Sequence, residues 1–366
     1  MASIVKLPNS RYQVRYWGPD GKQHKKNFGR RGEAERFAAT VETDKLRGEW
    51  IDPRLGKMTF AEWAEKWRAT EARLRPTTRA QHESILANHI LPAFGSWRLL
   101  AIGQEDVAAW AAELVAASLA PATVLKAYQI FANLMKAAVV AGRLPRSPCV
   151  GVRRLLPEVE EAEMRFLTED QVVDLAEGID QRYRAFVLLG AYAGLRRGEL
   201  LGLRRHRVLA LRSAVEVAEV LSQVSGRIVF GPPKSKAGRR VVTIPRPVME
   251  EVAGHIARHS SSKSDLVFPA PQGGPFSPRN FSRRIWEPAV AGTGLEPLRI
   301  HDLRHTAVGF WIEAGLTESE IAARAGWRQF LARYRHILER TEERANDRLG
   351  SLFLEAERRR KLGRGG

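Results

Sequence analysis

A chain of 366 residues, 44% of them apolar, has enough material for two or three domains with cores of their own. Its 59 Lys and Arg against 41 Asp and Glu leave a net charge of +18, which points to a polyanionic partner, nucleic acid ahead of an anionic membrane surface. No apolar run approaches the roughly 18–20 residues of a membrane span; the opening Met1–Lys6 lacks the apolar run of a secretory leader; and the single cysteine, Cys149, excludes an internal disulfide and fits a reducing cytoplasm.

Residues 1–30 carry seven basic side chains (Lys6, Arg11, Arg15, Lys22, Lys25, Lys26, Arg30) against one acid, Asp20. Tyr12-Gln13-Val14-Arg15-Tyr16-Trp17 alternates as a strand does, Gly18-Pro19-Asp20-Gly21 reads as a turn, and a second strand runs through Lys25–Phe28. A helix follows from about Arg31 to Arg47. A small basic sheet with interleaved aromatics and one helix suits a DNA groove or backbone, so Arg11, Arg15, Lys22, Lys25 and Lys26 are candidate DNA contacts.

From about 58 to 150 the chain reads as all-helical. Thr59-Phe60-Ala61-Glu62 is a capping box, and Phe60, Trp63 and Trp67 then fall on one helical face. Pro76-Thr77-Thr78 opens a second helix with Ile85, Leu86 and Ile90 as its apolar stripe, ended by Pro92 and Gly95. A third spans Gln104 to about Ala117. A fourth opens at Pro121 and carries Leu125, Tyr128, Ile130, Phe131, Leu134 and Met135. Pro145 and Pro148 close the unit, and Cys149 reads as a small buried apolar residue. Residues 151–163 look like a polar linker. Thr168-Glu169-Asp170-Gln171, a second capping box, marks the start of a third unit, mostly helical with a β-rich stretch at about 213–245. There Gly226 and Gly238 read as hairpin turns. The tail, with Arg358-Arg359-Arg360-Lys361, reads as frayed.

The chemistry concentrates in this third unit. Gly194-Leu195-Arg196-Arg197-Gly198-Glu199, Lys234-Ser235-Lys236-Ala237-Gly238-Arg239-Arg240, His301-Asp302-Leu303-Arg304-His305 and Tyr334 supply the groups needed to break a phosphodiester bond without a metal. Two permanently charged guanidiniums, Arg196 and Arg304, can clamp phosphate oxygens, and Glu199 is placed to orient a neighbouring arginine. Lys236, on an expected hairpin tip with Lys234 as the alternative, can protonate a departing 5′ oxygen; Lys234, Arg239 and Arg240 are further candidate DNA contacts. His301 and Arg304, three apart, share a face of a helix beginning near Asp302, so His301 can accept a proton or bind phosphate. The His301–His305 spacing lacks the third ligand and base of a metal site. Tyr334 is the only tyrosine after Tyr192. Its phenol, with roughly one part in a thousand ionised at pH 7, needs neighbouring arginines or a proton acceptor to attack. A phosphotyrosine preserves the bond energy, in keeping with the absence of a Gly-x-x-x-x-Gly-Lys-Ser/Thr loop. Neither metal nor cofactor is expected.

Ala193-Gly194-Leu195-Arg196-Arg197-Gly198-Glu199-Leu200 and His301-Asp302-Leu303-Arg304-His305-Thr306-Ala307, in that order and separation, resemble the tyrosine recombinase family, specifically phage-type integrases. The resemblance covers nearly the whole chain. It implies a mainly α fold with small β-sheets: an arm-type DNA-binding domain at 1–57 with a basic three-stranded sheet plus helix, a SAM-like core-binding domain at 58–150, a linker at 151–163, and a catalytic domain at 164–366 with a small antiparallel sheet. It makes Arg196 and Arg304 the phosphate clamp, Lys236 the general acid, His301 the proton-transfer partner and Tyr334 the nucleophile. Trp327 falls where members usually carry His and some carry Trp, and an indole N–H can donate to a phosphate oxygen. It also implies paired double-stranded DNA attachment sites, a homotetramer, a Holliday junction, a host DNA-bending protein and an excision factor, in the cytoplasm of a bacterial host at the nucleoid. The stretch Arg328–Arg333 is two or three residues shorter than is typical of the family, which can re-aim the phenol. Two readings therefore stand beside the integrase: a type IB topoisomerase, and a DNA-binding protein impaired in catalysis. After Tyr334 an amphipathic stretch through Leu349, Leu352 and Phe353 matches the family's segment for docking on a neighbouring protomer.

Overall fold

A computed structural model describes residues 2–18, 21–46, 58–159, 163–259, 264–330, 334 and 337. The chain forms two compact units, Met1–Glu161 and Ala162–Gly366, and is mainly α-helical with small antiparallel sheets. Pro19-Asp20 of the expected turn, Arg47, residues 331–333 and the whole tail from 338 lie outside the described residues, the docking stretch included. Among the described residues no helix is long and apolar enough to cross a membrane.

Alternation in the first thirty residues builds a meander of β1 (Ser3–Lys6), β2 (Tyr12–Trp17) and β3 (Gln23–Phe28). Val14 and Tyr16 turn inward onto Ala34 and Val41 of α1 (Arg31–Leu46), where Tyr16 stacks on His24 and meets the edge of Phe37. The period of two sends Gln13, Arg15 and Trp17 to the opposite face. There Arg15 pairs across from Lys25 and Gln13 from Asn27. Arg15 donates to Gln13, and Gln13 to Asn27, giving a linked polar row.

In the helical part of the first unit, Thr59 and Glu62 close a reciprocal capping box at the start of α2 (Phe60–Thr70). Phe60, Phe94, Trp110 and Phe131 form one ring cluster, and Trp63 donates its indole N–H to the Leu134 carbonyl at 3.0 Å. Truncating a ring such as Phe131 to alanine in this core costs about 3–5 kcal/mol. α3 (Pro76–Ile85) does not stop before Pro92. It widens into a π-turn, Leu86–Ile90, and continues as α4 (Leu91–Phe94), with Gly95 after it. Proline lacks the N–H that the ladder needs, and the wider turn spares the chain that bond. α5 (Gln104–Ala116) and α6 (Pro121–Val140) complete the bundle. The expected linker begins too early at 151. Val152–Leu155 forms a 3₁₀ turn, and Val152 and Leu156 are buried in the same core. The core thus recruits apolar side chains that carry no periodicity of their own.

The second unit is arranged around α8 (Arg184–Ala193), buried along almost its full length. α7 (Glu169–Gly178), α10 (Arg246–His259) and α13 (Asp302–Glu313) pack on it, and α9 (Arg197–Leu201) follows it directly. At Gly190 an added β-carbon would lie 2.5 Å from Leu303, so glycine sets how closely α8 and α13 approach. The β-rich stretch divides into two sheets. β6 (Val220–Val224) and β7 (Arg227–Gly231) form a hairpin through Ser225-Gly226, as expected. Gly238 is not a hairpin turn: β8 (Arg240–Thr243) pairs with β5 (Ala214–Val217), which pairs with β4 (Val208–Leu209). Pro232 and Pro233 follow β7 directly, and without N–H groups they cannot extend its ladder. α11 (Pro278–Phe281), a π-turn at Ser282–Trp286, α12 (Glu287–Gly292) and α14 (Glu318–Ala325) complete the described elements.

Candidate active site

The site is assembled where α8, α13 and α14 end or begin. Gly194 terminates α8 in the left-handed region, φ +61°, with an added β-carbon 2.7 Å from Trp311. A side chain there is both strained and obstructed. The turn places Arg196 at the cap of α9, and Glu199, three residues on, accepts the Arg196 backbone N–H at 2.9 Å and its guanidinium at 2.9 Å. This is the return half of a capping box.

Glu199 also accepts two hydrogen bonds from Arg240, at 3.2 and 3.1 Å, across 41 residues of chain. Arg240, expected to face DNA, instead has a side chain 6% exposed. Its remaining donors go to the carbonyls of Arg324 and Gly238, at 2.6 and 3.0 Å. Pairing β8 with β5 rather than β7 carries it inward. Burial by itself would raise the Glu199 carboxyl; the hydrogen bonds and charge of Arg240, with those of Arg196, outweigh it and hold the group below the ordinary carboxylate value.

α13 starts at a staple. Asp302, buried, accepts the backbone N–H of Arg299 at 2.7 Å and its guanidinium at 3.1 and 2.7 Å. His301 caps the helix and keeps an open edge. Arg304, one turn on, is fully buried and donates to the carbonyls of Gly194, at 2.6 Å, and Ala325. Thus the last carbonyls of α14, which have no partner within the helix, receive both Arg240 and Arg304 at the negative end of its dipole.

Two guanidiniums, Arg196 and Arg240, pair with the Glu199 carboxylate, and the buried Arg304 lies within the field of all three. Burial first, then the charges of Arg196 and Arg240, push the Arg304 guanidinium down to about 9. An arginine nonetheless holds its proton in practice, so the cluster favours an approaching negative charge. Arg196, while bonded to Glu199, stays 38% exposed. His301 is displaced below the ordinary histidine value, by partial desolvation and then by Arg304 and Arg196, which favours its neutral form.

Lys236 lies in a 3₁₀ turn, Lys236–Gly238, fastened by the Gly238 N–H donating to Ser235. Lys234, Lys236 and Arg239 are exposed. The Ala237 carbonyl would lie 2.9 Å from a β-carbon on Gly326, the left-handed cap of α14, so this turn and the α14–Trp327 corner are in contact. The Trp327 ring lies 5.1 Å from the Arg304 guanidinium and stacks on Tyr334 at 5.4 Å. Tyr334 is 1% exposed, and its hydroxyl is 2.7 Å from Nδ1 of His305. The shortened interval after Trp327 therefore still sets the phenol against α13, beside Arg304. Arg196, Glu199, His301, Arg304, Trp327 and Tyr334 are brought together, with the Lys236 turn adjoining Arg240 and Gly326. Arg11, Arg15, Lys22, Lys25 and Lys26 lie on the N-terminal sheet and its edges in the other unit. Sequence reasoning missed His305 as the phenol's partner, and Arg240 as the second support of Glu199. The i, i+4 spacing of His301 and His305 was the available signal for the first, since it puts both rings on one face.

Three family profiles match successive parts of the chain. The phage integrase family profile matches residues 165–340, the phage integrase N-terminal SAM-like domain residues 59–115, and the phage integrase N-terminal domain residues 2–47. A putative prophage phiRv2 integrase of Mycobacterium tuberculosis is 27% identical over 337 residues, covering 88% of this chain and 87% of its own. The integrase of Mycobacterium phage L5 is 28% identical, covering 74% and 72%. Among solved structures, the Tn1549 transposon integrase in complex with transposon right end DNA superposes with a TM-score of 0.68 at 16% identity, covering 80% of this chain and 100% of that one. A lambda integrase dimer bound to a COC′ core site gives 0.58 at 14% identity, covering 92% and 94%. With three consecutive domain profiles, integrase relatives along nearly the full length and the same fold, this chain belongs to the phage integrase family of tyrosine recombinases and is a site-specific DNA recombinase.

Proposed function

We propose that the chain is an integrase that pairs two double-stranded attachment sites as a homotetramer, cuts one strand of each through Tyr334, exchanges them, and resolves the Holliday junction in a second round. The observation that carries this reading is the cluster of Arg196, Arg240 and Arg304 around Glu199, with the Tyr334 hydroxyl set against the same helix as Arg304. Arg196 and Arg304 hold the scissile phosphate. Glu199 and Arg240 aim Arg196. Lys236 delivers a proton to the departing 5′ oxygen, with Lys234 as the neighbouring alternative. His301, neutral and open, binds the phosphate or passes a proton, and the Trp327 indole N–H donates to a phosphate oxygen. The rings of Trp327 and Phe330 that shield Tyr334 must give way for the phosphate to reach its oxygen. Lys234 and Arg239 meet the backbone near the cut, while Arg11, Arg15, Lys22, Lys25 and Lys26 bind arm sites through the N-terminal domain, residues 1–57. The lambda integrase solved as a tetramer on a Holliday junction supports the assembly. A host DNA-bending protein and an excision factor complete the reaction in the bacterial cytoplasm, at the nucleoid. A nicked suicide attachment site should trap a covalent adduct that maps to Tyr334. An adduct formed equally well by Tyr334→Phe would refute the assignment.

A further inference from the structure

Two histidines stand on one face of α13, and they meet different partners. His301, at the open start of the helix, lies in the field of Arg304 and Arg196. His305, one turn deeper and 4% exposed, presents Nδ1 to the Tyr334 hydroxyl at 2.7 Å. The two imidazoles touch edge to face, centroids 4.9 Å apart. With the phenol as donor, Nδ1 is the acceptor and the ring carries its proton on Nε2. Phe166, Trp327 and Phe330 surround the phenol at 6.4, 5.4 and 6.0 Å, and Tyr334 has almost no solvent contact through which a water could take its proton.

We propose that His305, and not His301, is the proton acceptor for Tyr334 in strand cleavage. This rests on Tyr334 being the nucleophile. The Tyr334 oxygen forms a bond to phosphorus while its proton passes to Nδ1 of His305. The bond from phosphorus to the 5′ oxygen breaks, and that oxygen takes a proton from Lys236. In rejoining, the 5′ hydroxyl attacks, Lys236 regains its proton, and the departing Tyr334 oxygen recovers its own from His305. The scissile phosphate brings the negative charge that favours an imidazolium beside Arg304, so proton removal is coupled to substrate binding. His301 is thereby left to the phosphate.

His305→Asn places an amide oxygen near the position of Nδ1, where it accepts the phenol's hydrogen bond but takes no proton. On a nicked attachment site we expect wild-type binding in gel shifts and adduct formation slowed about a hundredfold or more. A fluorinated, more acidic tyrosine at position 334 should restore most of that loss. A 5′-bridging phosphorothiolate, whose leaving group needs no acid, should rescue Lys236→Ala and leave His305→Asn slow. Near-wild-type cleavage by His305→Asn, its rescue by the thiolate leaving group, or no response to fluorination would each overturn the proposal. Should His305→Asn fail to bind DNA, fluorination in the wild-type background decides: a nearly unchanged rate supports His305, whereas a rise of roughly tenfold or more means that the phenol ionises first without it. An adduct mapping away from Tyr334 overturns the nucleophile assignment itself; an adduct at Tyr334 formed at full rate by His305→Asn overturns this inference alone.

Discussion

Replacing Glu199 with glutamine keeps the shape of the side chain and removes the carboxylate that pairs with Arg196 and Arg240. The residue is 2% exposed and accepts four hydrogen bonds, two from Arg196 and two from Arg240. The glutamine amide would turn a donor toward at least one guanidinium and leave Arg240 as an uncompensated buried charge. Breaking a buried pair from one side costs about 3–5 kcal/mol. Arg240 keeps its two carbonyl partners, which places the expected loss near the lower end, about 3 kcal/mol. Against a typical total of about 5–15 kcal/mol, the variant still folds. Guanidinium denaturation of wild type, Glu199→Gln, Arg240→Met and the double variant at pH 7 measures this, with a coupling energy of at least about 1.5 kcal/mol between the two sites. The folded-state value of the carboxyl is depressed. Its stabilisation is therefore complete above the unfolded-state value and is lost as pH falls through the folded one. Wild type should lose stability more steeply than Glu199→Gln on acidification below the ordinary carboxylate range. Adduct formation should also slow, because Arg196 loses the group that aims it. A variant within about 0.5 kcal/mol of wild type, with an unchanged acid slope, would show that the carboxylate does not hold the cluster.

Gly194→Ala should cost about 2–4 kcal/mol in the same denaturation assay, from left-handed strain and overpacking against Trp311; a neutral result would mean the α8–α13 corner is slack. Imidazole NMR should place His301 below the ordinary value of 6.5 in the free protein, and vanadate, as a phosphate probe, should raise it by offsetting Arg304 and Arg196. Because that folded-state value is depressed, His301 favours folding above the ordinary histidine value, and the contribution is lost as pH falls through the folded one. Arg15→Ala should lower the salt slope of arm-site binding by about 1, while Gln13→Ala should relax sequence preference at little cost in slope. Equal slopes for Arg15→Ala and wild type would remove the open sheet face from the DNA contact.

Features written in short stretches of sequence were legible without a structure. The capping boxes at Thr59 and Thr168 satisfy backbone donors within four residues, so they form where they are read. The alternation of Tyr12–Trp17 and the stripes of the helical unit encode their buried faces directly. The motifs at 193–200 and 301–307 likewise name Arg196, Glu199, His301 and Arg304, because Gly194 and the Arg299–Asp302 staple aim them locally. What lay beyond reach depended on partners far along the chain. Strand propensity at 240–243 does not say which strand will pair with it; the pairing with β5 turned Arg240 from a surface cation into the buried support of Glu199. Apolar residues at 152–156 carry no period until the core of the preceding helices accepts them. The hydrogen bond between His305 and Tyr334 spans 29 residues. The sequence by itself determined which groups are available to the chemistry we propose, since their types and local turns are encoded side by side. Tertiary structure alone decided which group faces which, since a buried charge or a phenol acquires its function from whatever packing brings within hydrogen-bond reach.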